Sequence, residues 1–197
     1  MKINLTQNKN FKLFKIISKV AQENNQTVYI VGGYVRDLLM QRKAPTDIDF
    51  VTEQSGIELA KAVGKELGDL KVSVFKTYGT AMIKYHDLDL EFVGARKESY
   101  SEDSRKPAVE TGTLEDDQKR RDFTVNALAI SLNAENFGEL IDPFNGREDM
   151  QNKILRTPLE PAQTYSDDPL RMMRAIRFAS VLHFEIEKNS LEAIKQE

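Results

Sequence analysis

VYIVGGYVRDLL (28–39), followed within ten residues by TDIDFV (46–51), is the stretch on which the fold turns. Val28 to Val31 are β-branched and aromatic, which favours a strand; Gly32 and Gly33 interrupt it, and YVRDLLM (34–40) reads as a helix. TDIDFV then alternates in polarity. In a strand, residues two apart point the same way, so Asp47 and Asp49 share one face while Ile48 and Phe50 turn to the other. A strand, a glycine turn, a short helix and a strand bearing two carboxylates therefore follow one another in one compact run.

Working outward, Phe11, Phe14, Ile17 and Val20 fall at helical spacing upstream. Downstream, a helix is expected over 57–67 and strands over VSVF (72–75), AMIKY (81–85) and LDLEFV (88–93), the last two joined by a turn at His86-Asp87. Together these strands predict a small antiparallel or mixed sheet. From Ala95 to Thr113 apolar residues are scarce, and a loop is expected. RRDFTVNALA (120–129) is expected to be helical. It is followed by a short strand ELID (139–142), a turn PFNG, a helix around 147–151, a strand ILRT (154–157) and a Pro-bounded linker PLEP (158–161). Ser166 to Phe184 reads as the strongest helix, with Asp167 and Asp168 in its first turn, Pro169 near its start and apolar groups at Leu170, Met173, Ile176 and Leu182. The closing KNSLEAIKQE reads as a helix cut off without a stop signal.

Composition narrows the chemistry. The 197 residues are 40% apolar and 30% charged, with ten Phe and six Tyr, enough for a sizeable core. No apolar run approaches the roughly 18 residues a membrane-spanning helix needs, and the first residues resemble no signal peptide, so a cytoplasmic protein without a membrane partner is expected. There is no Cys, which excludes disulfides, thiolate zinc sites and Cys nucleophiles. The two His, His86 and His183, lie far apart and read as a turn residue and a surface helix residue. Metal chemistry would thus rest on Asp and Glu oxygens, the ligand set of Mg²⁺ or Mn²⁺. A net charge of −3 requires any nucleic acid to be met by a local patch.

Several clusters could carry chemistry. A divalent cation is one reason to keep two carboxylates as close as Asp47 and Asp49, although a strand with a solvated outer face shows the same alternation. LDLEFV repeats the pattern, placing Asp87, Asp89 and Glu91 opposite Leu88, Leu90 and Phe92. Should the two strands be neighbours, at least three carboxylates would converge, as two-metal phosphoryl or nucleotidyl transfer requires. The Gly32-Gly33 turn lets backbone N–H groups approach a phosphate at a helix N-terminus, and Arg36 could add a charge-assisted hydrogen bond. Many such turns only reverse the chain. In the late helix Asp168, Arg171, Arg174 and Arg177 fall at spacing three. An Asp/Arg pair could meet a base edge there and leave two arginines for phosphates, or the row could be an ordinary exposed face. Arg120, Arg121, Asp122 and Asn126 cluster around Phe123, Val125 and Leu128.

Taken in order, VGGYVRDLL, TDIDFV, LEFVGARKESY, LEDDQKRRDFTVNALAISL, IDPFNGREDMQNKILRT and SDDPLRMMRAIRFA resemble the class II tRNA nucleotidyltransferases (CCA-adding enzymes) together with bacterial poly(A) polymerases. The resemblance implies an α+β fold: a polymerase-β-like nucleotidyltransferase head over 1–156, with a short mixed or antiparallel sheet flanked by helices, then the first helices of an all-α neck over 157–197. By position, Asp47 and Asp49 match metal-binding carboxylates and Glu91 a third, strand-borne catalytic one. Gly32, Gly33 and Arg36 match a triphosphate-binding turn, while Arg121, Asp122 and Asn126 match residues holding phosphate and ribose. Asp168 and Arg171 match a protein template for C or A, with Arg174 and Arg177 also at the nucleotide. The usual Glu-Asp pair of the template is Asp167-Asp168 here, and FVGAR keeps Arg96 with altered neighbours. The implied activity is Mg²⁺-dependent addition of CMP and AMP from CTP and ATP to the 3′ end of tRNA, with Mn²⁺ as an alternative ion and no obligate protein partner. The alternatives are a poly(A) polymerase using ATP only, a CC-adding or A-adding specialist, and a nucleotide-binding head without turnover.

Overall fold

A computed structural model describes residues 1–43, 45–101 and 104–196, with 97–101 and 104–110 described by their backbone. In chain order the elements are α1 (Phe11–Glu23), β1 (Tyr29–Val31), α2 (Gly33–Leu39), β2 (Asp47–Thr52), α3 (Gly56–Glu66), β3 (Val72–Phe75), β4 (Thr80–Tyr85), β5 (Leu88–Gly94), β6 (Arg96–Ser101) and β7 (Ser104–Thr111). They continue as α4 (Leu114–Lys119), β8 (Ala129–Ser131), β9 (Leu140–Ile141), α5 (Gly146–Asn152), β10 (Ile154–Leu155), α6 (Pro161–Asp167), α7 (Leu170–Leu182), β11 (Glu185–Ile186) and α8 (Lys188–Gln196). None of the helices among the described residues is long and apolar enough to cross a membrane.

The expected mixed sheet is present, with seven strands in the order β3-β4-β5-β2-β1-β8-β9. Only β2 and β5 run parallel; the other neighbours are antiparallel. Alternation decides which face is buried. Ile48, Phe50, Leu90, Phe92, Ala81 and Ile83 turn inward and pack with Leu13, Phe14, Ile17, Leu59 and Val63 of α1 and α3. The Phe50 and Phe92 rings stack with centroids 5.0 Å apart, and Phe14 meets the Tyr34 ring edge-on at 5.8 Å. On α3, Ser55 caps the start by accepting a hydrogen bond from the Glu58 amide at 3.3 Å. The opposite sheet face keeps Asp47, Asp49 and Glu91, with a small apolar cluster of Val31, Val51, Ala95, Leu114 and Ala129 at one end.

A second core of Phe123, Val125, Leu155, Ala175, Phe178, Leu182 and Phe184 joins α7 to the segment after α4. Fully burying a large apolar side chain is worth about 1.5–3 kcal/mol. The ion pair Asp122–Arg174 spans the same junction, but Arg174 is 46% exposed, and such pairs contribute about 0–1 kcal/mol. Packing therefore holds α7 in place and sets which of its faces turns inward.

Three expectations are corrected. The stretch 95–113 is no loop: β6 and β7 pair as an antiparallel hairpin, and positions 102 and 103 lie outside the described residues. A two-stranded ribbon owes its form to its own ladder of hydrogen bonds, so it need not carry the apolar alternation by which a strand is recognised in sequence. RRDFTVNALA is no helix. The helix ends at Lys119, a 3₁₀ turn spans Thr124–Asn126 and β8 begins at Ala129, because Phe123 and Val125 enter the second core while Leu128 and Ile130 enter the first.

The helix expected over Ser166–Phe184 is two. Asp167 ends α6, which begins at Pro161 inside the expected linker, and Asp168 is extended (φ −147°, ψ 95°), as a residue before proline prefers. On α7 the apolar groups Leu170, Met173 and Ile176 face outward, and Ala175, Phe178 and Leu182 face the core. His183 closes α7 in the left-handed conformation, and His86 occupies its expected turn at φ 54°. The closing helix is α8; residue 197 lies outside the described residues.

Gly146 opens α5 against the 3₁₀ turn that carries Asn126. A Cβ there would lie 2.3 Å from the Thr124 carbonyl oxygen, a backbone atom with no room to yield. Gly146→Ala is expected to lower stability by about 1–3 kcal/mol, read as a lower midpoint in urea with an unchanged slope.

Candidate active site

β2 and β5 are neighbours, and their register sets Asp47 beside Asp89 and Asp49 beside Glu91. This is the convergence the two strand patterns left open. The Gly32-Gly33 turn ends β1, the strand on the other side of β2. Gly32 adopts φ 72° and ψ −137°, a conformation that costs side-chain-bearing residues about 1–3 kcal/mol. A Cβ on it would come within 2.9 Å of Arg121 Nη1 and 3.6 Å of Asp49 Oδ2, so only glycine leaves the approach open.

Arg121 lies under that turn. Its Nε and Nη2 donate to Asp117 Oδ2 at 2.9 and 2.8 Å, and its Nη1 donates to the Asn126 carbonyl at 3.2 Å. Asp117 is fully buried and also accepts from Arg120 Nε at 3.0 Å. Burial alone would raise the Asp117 carboxyl above its usual range, yet Arg121 and Arg120 outweigh it and hold the group below that range.

A polar chain then crosses from α2 to α7. Arg36 pairs with both Asp37 oxygens, at 2.9 and 3.0 Å, and donates through Nη1 to Asn126 Oδ1 at 2.7 Å. Asn126 Nδ2 donates to Asp122 Oδ1 at 3.0 Å, and Asp122 Oδ2 accepts from Arg174 Nε at 2.7 Å. Arg171 gives Nη2 to the Arg120 carbonyl at 2.7 Å and stands 3.8 Å from Asp168, whose Oδ1 accepts from the Leu170 amide at 3.1 Å. The Phe178 ring sits among three guanidiniums, with Arg177, Arg36 and Arg174 at 4.4, 5.3 and 5.3 Å from its centroid.

These side chains line one open cleft of about 490 Å³, within the usual range for a small-molecule site. Gly32, Gly33, Arg36, Asp49, Arg121, Asp122, Asn126, Asp168, Arg171, Arg174 and Arg177 all border it, together with Arg120 and Phe178. Asp47 and Glu91 stand beside the cleft on the sheet face and do not line it. Another hollow, of about 510 Å³, lies at the far ends of β2 and β5 and holds none of these groups. Sequence reading missed Asp117 and Phe178 as site residues. Asp117 was detectable as an acid three and four residues before two arginines; no sequence signal shows that the Phe178 ring would face the arginines.

Burial raises the Asp49 carboxyl, with Arg121 opposing and Asp47 and Asp117 adding to the rise; burial and then Asp49 likewise raise Glu91. Carboxylates that disfavour their own ionisation in this way would be relieved by a cation. Among the described residues no group of three or more His, Asp or Glu side chains is placed to hold an ion by itself. Two carboxylates with a third on the neighbouring strand are the hard oxygen donors that a divalent ion such as Mg²⁺ prefers.

The family pattern of the poly A polymerase head domain matches residues 28–156. The chain belongs to this family of nucleotidyltransferases. Among its relatives, the A-adding tRNA nucleotidyltransferase of Aquifex aeolicus is 44% identical over 168 residues, 85% of this chain and 20% of the relative. The CCA-adding enzyme of Lactobacillus helveticus is 40% identical over 169 residues, 85% of this chain and 40% of the relative. A crystal structure of a tRNA nucleotidyltransferase complexed with a primer tRNA and an incoming ATP analog superposes with a TM-score of 0.80 at 39% identity, covering 91% of this chain and 49% of that one. The poly A polymerase head chain described here thus spans less than half the length of these relatives.

Asp117→Asn leaves the Arg121 guanidinium without its buried counter-charge. Removing one partner of a buried pair costs about 3–5 kcal/mol, which urea unfolding at neutral pH should register. Because the folded-state value of Asp117 is depressed, its contribution is complete above the unfolded value of about 3.9 and is lost as pH falls through the folded value. The gap between wild type and variant should therefore close in acid.

Proposed function

We propose that this chain is the nucleotide-binding and catalytic part of a tRNA nucleotidyltransferase that transfers CMP and AMP from CTP and ATP to the 3′ end of tRNA and releases pyrophosphate. The observation that carries the reading is the single cleft in which Asp49, the glycine turn, the arginine cluster and Asp168 of the α6–α7 junction meet. Residues 1–156 form the head on this reading, and 157–197 begin a helical neck.

Asp47 and Asp49, with Glu91 beside them, would hold Mg²⁺ or Mn²⁺, which would supply the Lewis acidity that activates the acceptor hydroxyl and offsets charge on the triphosphate. Gly32 and Gly33 let the backbone approach the phosphates. Arg36 lines the cleft and keeps N–H groups on Nη1 and Nη2 beyond those committed to Asp37 and Asn126, which are available to an anion there. Arg121, Asp122 and Asn126 set the phosphate and ribose. Asp168 accepts from, and Arg171 donates to, the hydrogen-bonding edge of C or A, while Arg174 and Arg177 neutralise phosphate charge. A hydrogen bond to the Arg120 carbonyl holds the Arg171 guanidinium near Asp168, which supports this reading.

A second reading, AMP addition alone, is favoured by the A-adding name of the Aquifex aeolicus relative at 44% identity. Incubating transcripts that end before CCA, or after CC, with each nucleotide separately and together distinguishes the readings. Stepwise C, C and A supports the proposal. A alone on the CC-ended transcript supports the A-adding reading, long A runs indicate a poly(A) polymerase, and nucleotide binding without extension indicates a head that binds but does not turn over. Asp49→Ala is expected to reduce extension to background, and full activity in that variant overturns the carboxylate assignment. Asp168→Ala is expected to change the CTP/ATP preference by about tenfold or more while triphosphate affinity changes little; an unchanged preference removes Asp168 from base reading.

A further inference from the structure

The face that bears the carboxylates continues past the cleft. Register places Asp49, Glu91, Met82 and Ser73 in one row across β2, β5, β4 and β3, and Val51, Val93, Thr80 and Phe75 in the next row on the same face. Phe75 is 44% exposed, the one exposed phenylalanine among the described residues. The 3₁₀ turn Lys76–Tyr78 follows it, and Tyr78 is 66% exposed. Lys76, Thr77 and Tyr78 border the hollow at the far ends of β2 and β5. With rows about 6.7 Å apart along a strand and strands about 4.8 Å apart, Phe75 stands roughly 12 Å from Glu91.

The sheet order puts these aromatics and the arginine cleft on opposite sides of Asp49. The cleft lies toward β1, and Phe75 and Tyr78 lie beyond β5 and β4. In-line displacement at phosphorus places the attacking hydroxyl opposite the leaving pyrophosphate. With the triphosphate in the arginine cleft, the hydroxyl must arrive from the β5 side, one to two nucleotide lengths from Phe75.

We propose that Phe75 and Tyr78, with Lys76 at their edge, form the platform on which the last unpaired nucleotides of the RNA acceptor stack. The proposal rests on the transferase reading above. Stacking on aromatic rings is tolerant of sequence, because every base has a π-face, and Lys76 adds a backbone-directed charge. Such tolerance suits an acceptor whose final base changes with each addition, for which a hydrogen-bonded pocket would reject all but one intermediate.

The test is fluorescence anisotropy of a 5′-labelled six-nucleotide RNA ending in CC against the full chain, with CTP binding in Mg²⁺ measured in parallel by calorimetry. Phe75→Ala and Tyr78→Ala are each expected to weaken RNA binding about fivefold or more, and the double variant more strongly. Tyr78→Phe should bind within twofold of wild type, and CTP affinity should be unchanged in all four. A 4-thiouridine in place of the penultimate C of the same RNA, one nucleotide back from the hydroxyl at the carboxylates, should crosslink to the peptide containing residues 75–78. RNA affinity in the double variant equal to wild type, a crosslink confined to other peptides, or a change of oligomeric state in place of a change in RNA affinity overturns the platform. A wild-type chain that binds CTP but not the RNA also overturns it, whereas one that binds no CTP overturns the transferase reading instead.

Discussion

The cleft exists because Phe178 of α7 packs edge-on against Phe123, centroids 5.9 Å apart, and brings a helix from late in the chain onto the segment that follows α4. The polar geometry follows from that contact. The Phe178 ring is ringed by Arg36, Arg174 and Arg177, and seating it in the second core places Arg174 within hydrogen-bond reach of Asp122. Without the packing, a single ion pair whose arginine is half-exposed would not hold a thirteen-residue helix in register with the sheet.

Beneath the cleft the logic is reversed, because there charge is buried and must be matched. Asp117 neutralises part of an arginine cluster that would otherwise repel itself, and it fixes Arg121 where Gly32 leaves room for it. The strained glycine and the buried acid thus solve one problem together: keeping a guanidinium close to Asp49 without filling the space between the turn and the carboxylates.

Much of this was legible in the sequence, for identifiable reasons. The β2 alternation fixed which side of the sheet Asp47 and Asp49 occupy, since Ile48 and Phe50 had to be buried. The glycine turn and the spacing-three arginines were local patterns and remain local in the structure. What stayed hidden was set by contacts distant in sequence. RRDFTVNALA has helical spacing but serves two cores at once, and a helix cannot direct Phe123, Val125, Leu128 and Ile130 to both. The apolar groups at Leu170, Met173 and Ile176 suggested an inward stripe, yet Ala175 and Phe178 face the core, because the aromatic partner at Phe123 chose the face. The hairpin after Ala95 carries no alternation to announce it, and the break at Asp168 follows from Pro169, which marked a helix start equally well.

The uneven distribution of charge has a kinetic side. The chain as a whole carries −3, yet six guanidiniums and only three carboxylates line the cleft. The local excess of guanidiniums over carboxylates makes this mouth attractive to an anion although the chain as a whole is negative. Encounters are thereby oriented before any contact forms, and the advantage shrinks as salt shortens the Debye length toward the width of the cleft. The cleft is thus set apart by the sign of its charge in a chain whose net charge is the opposite.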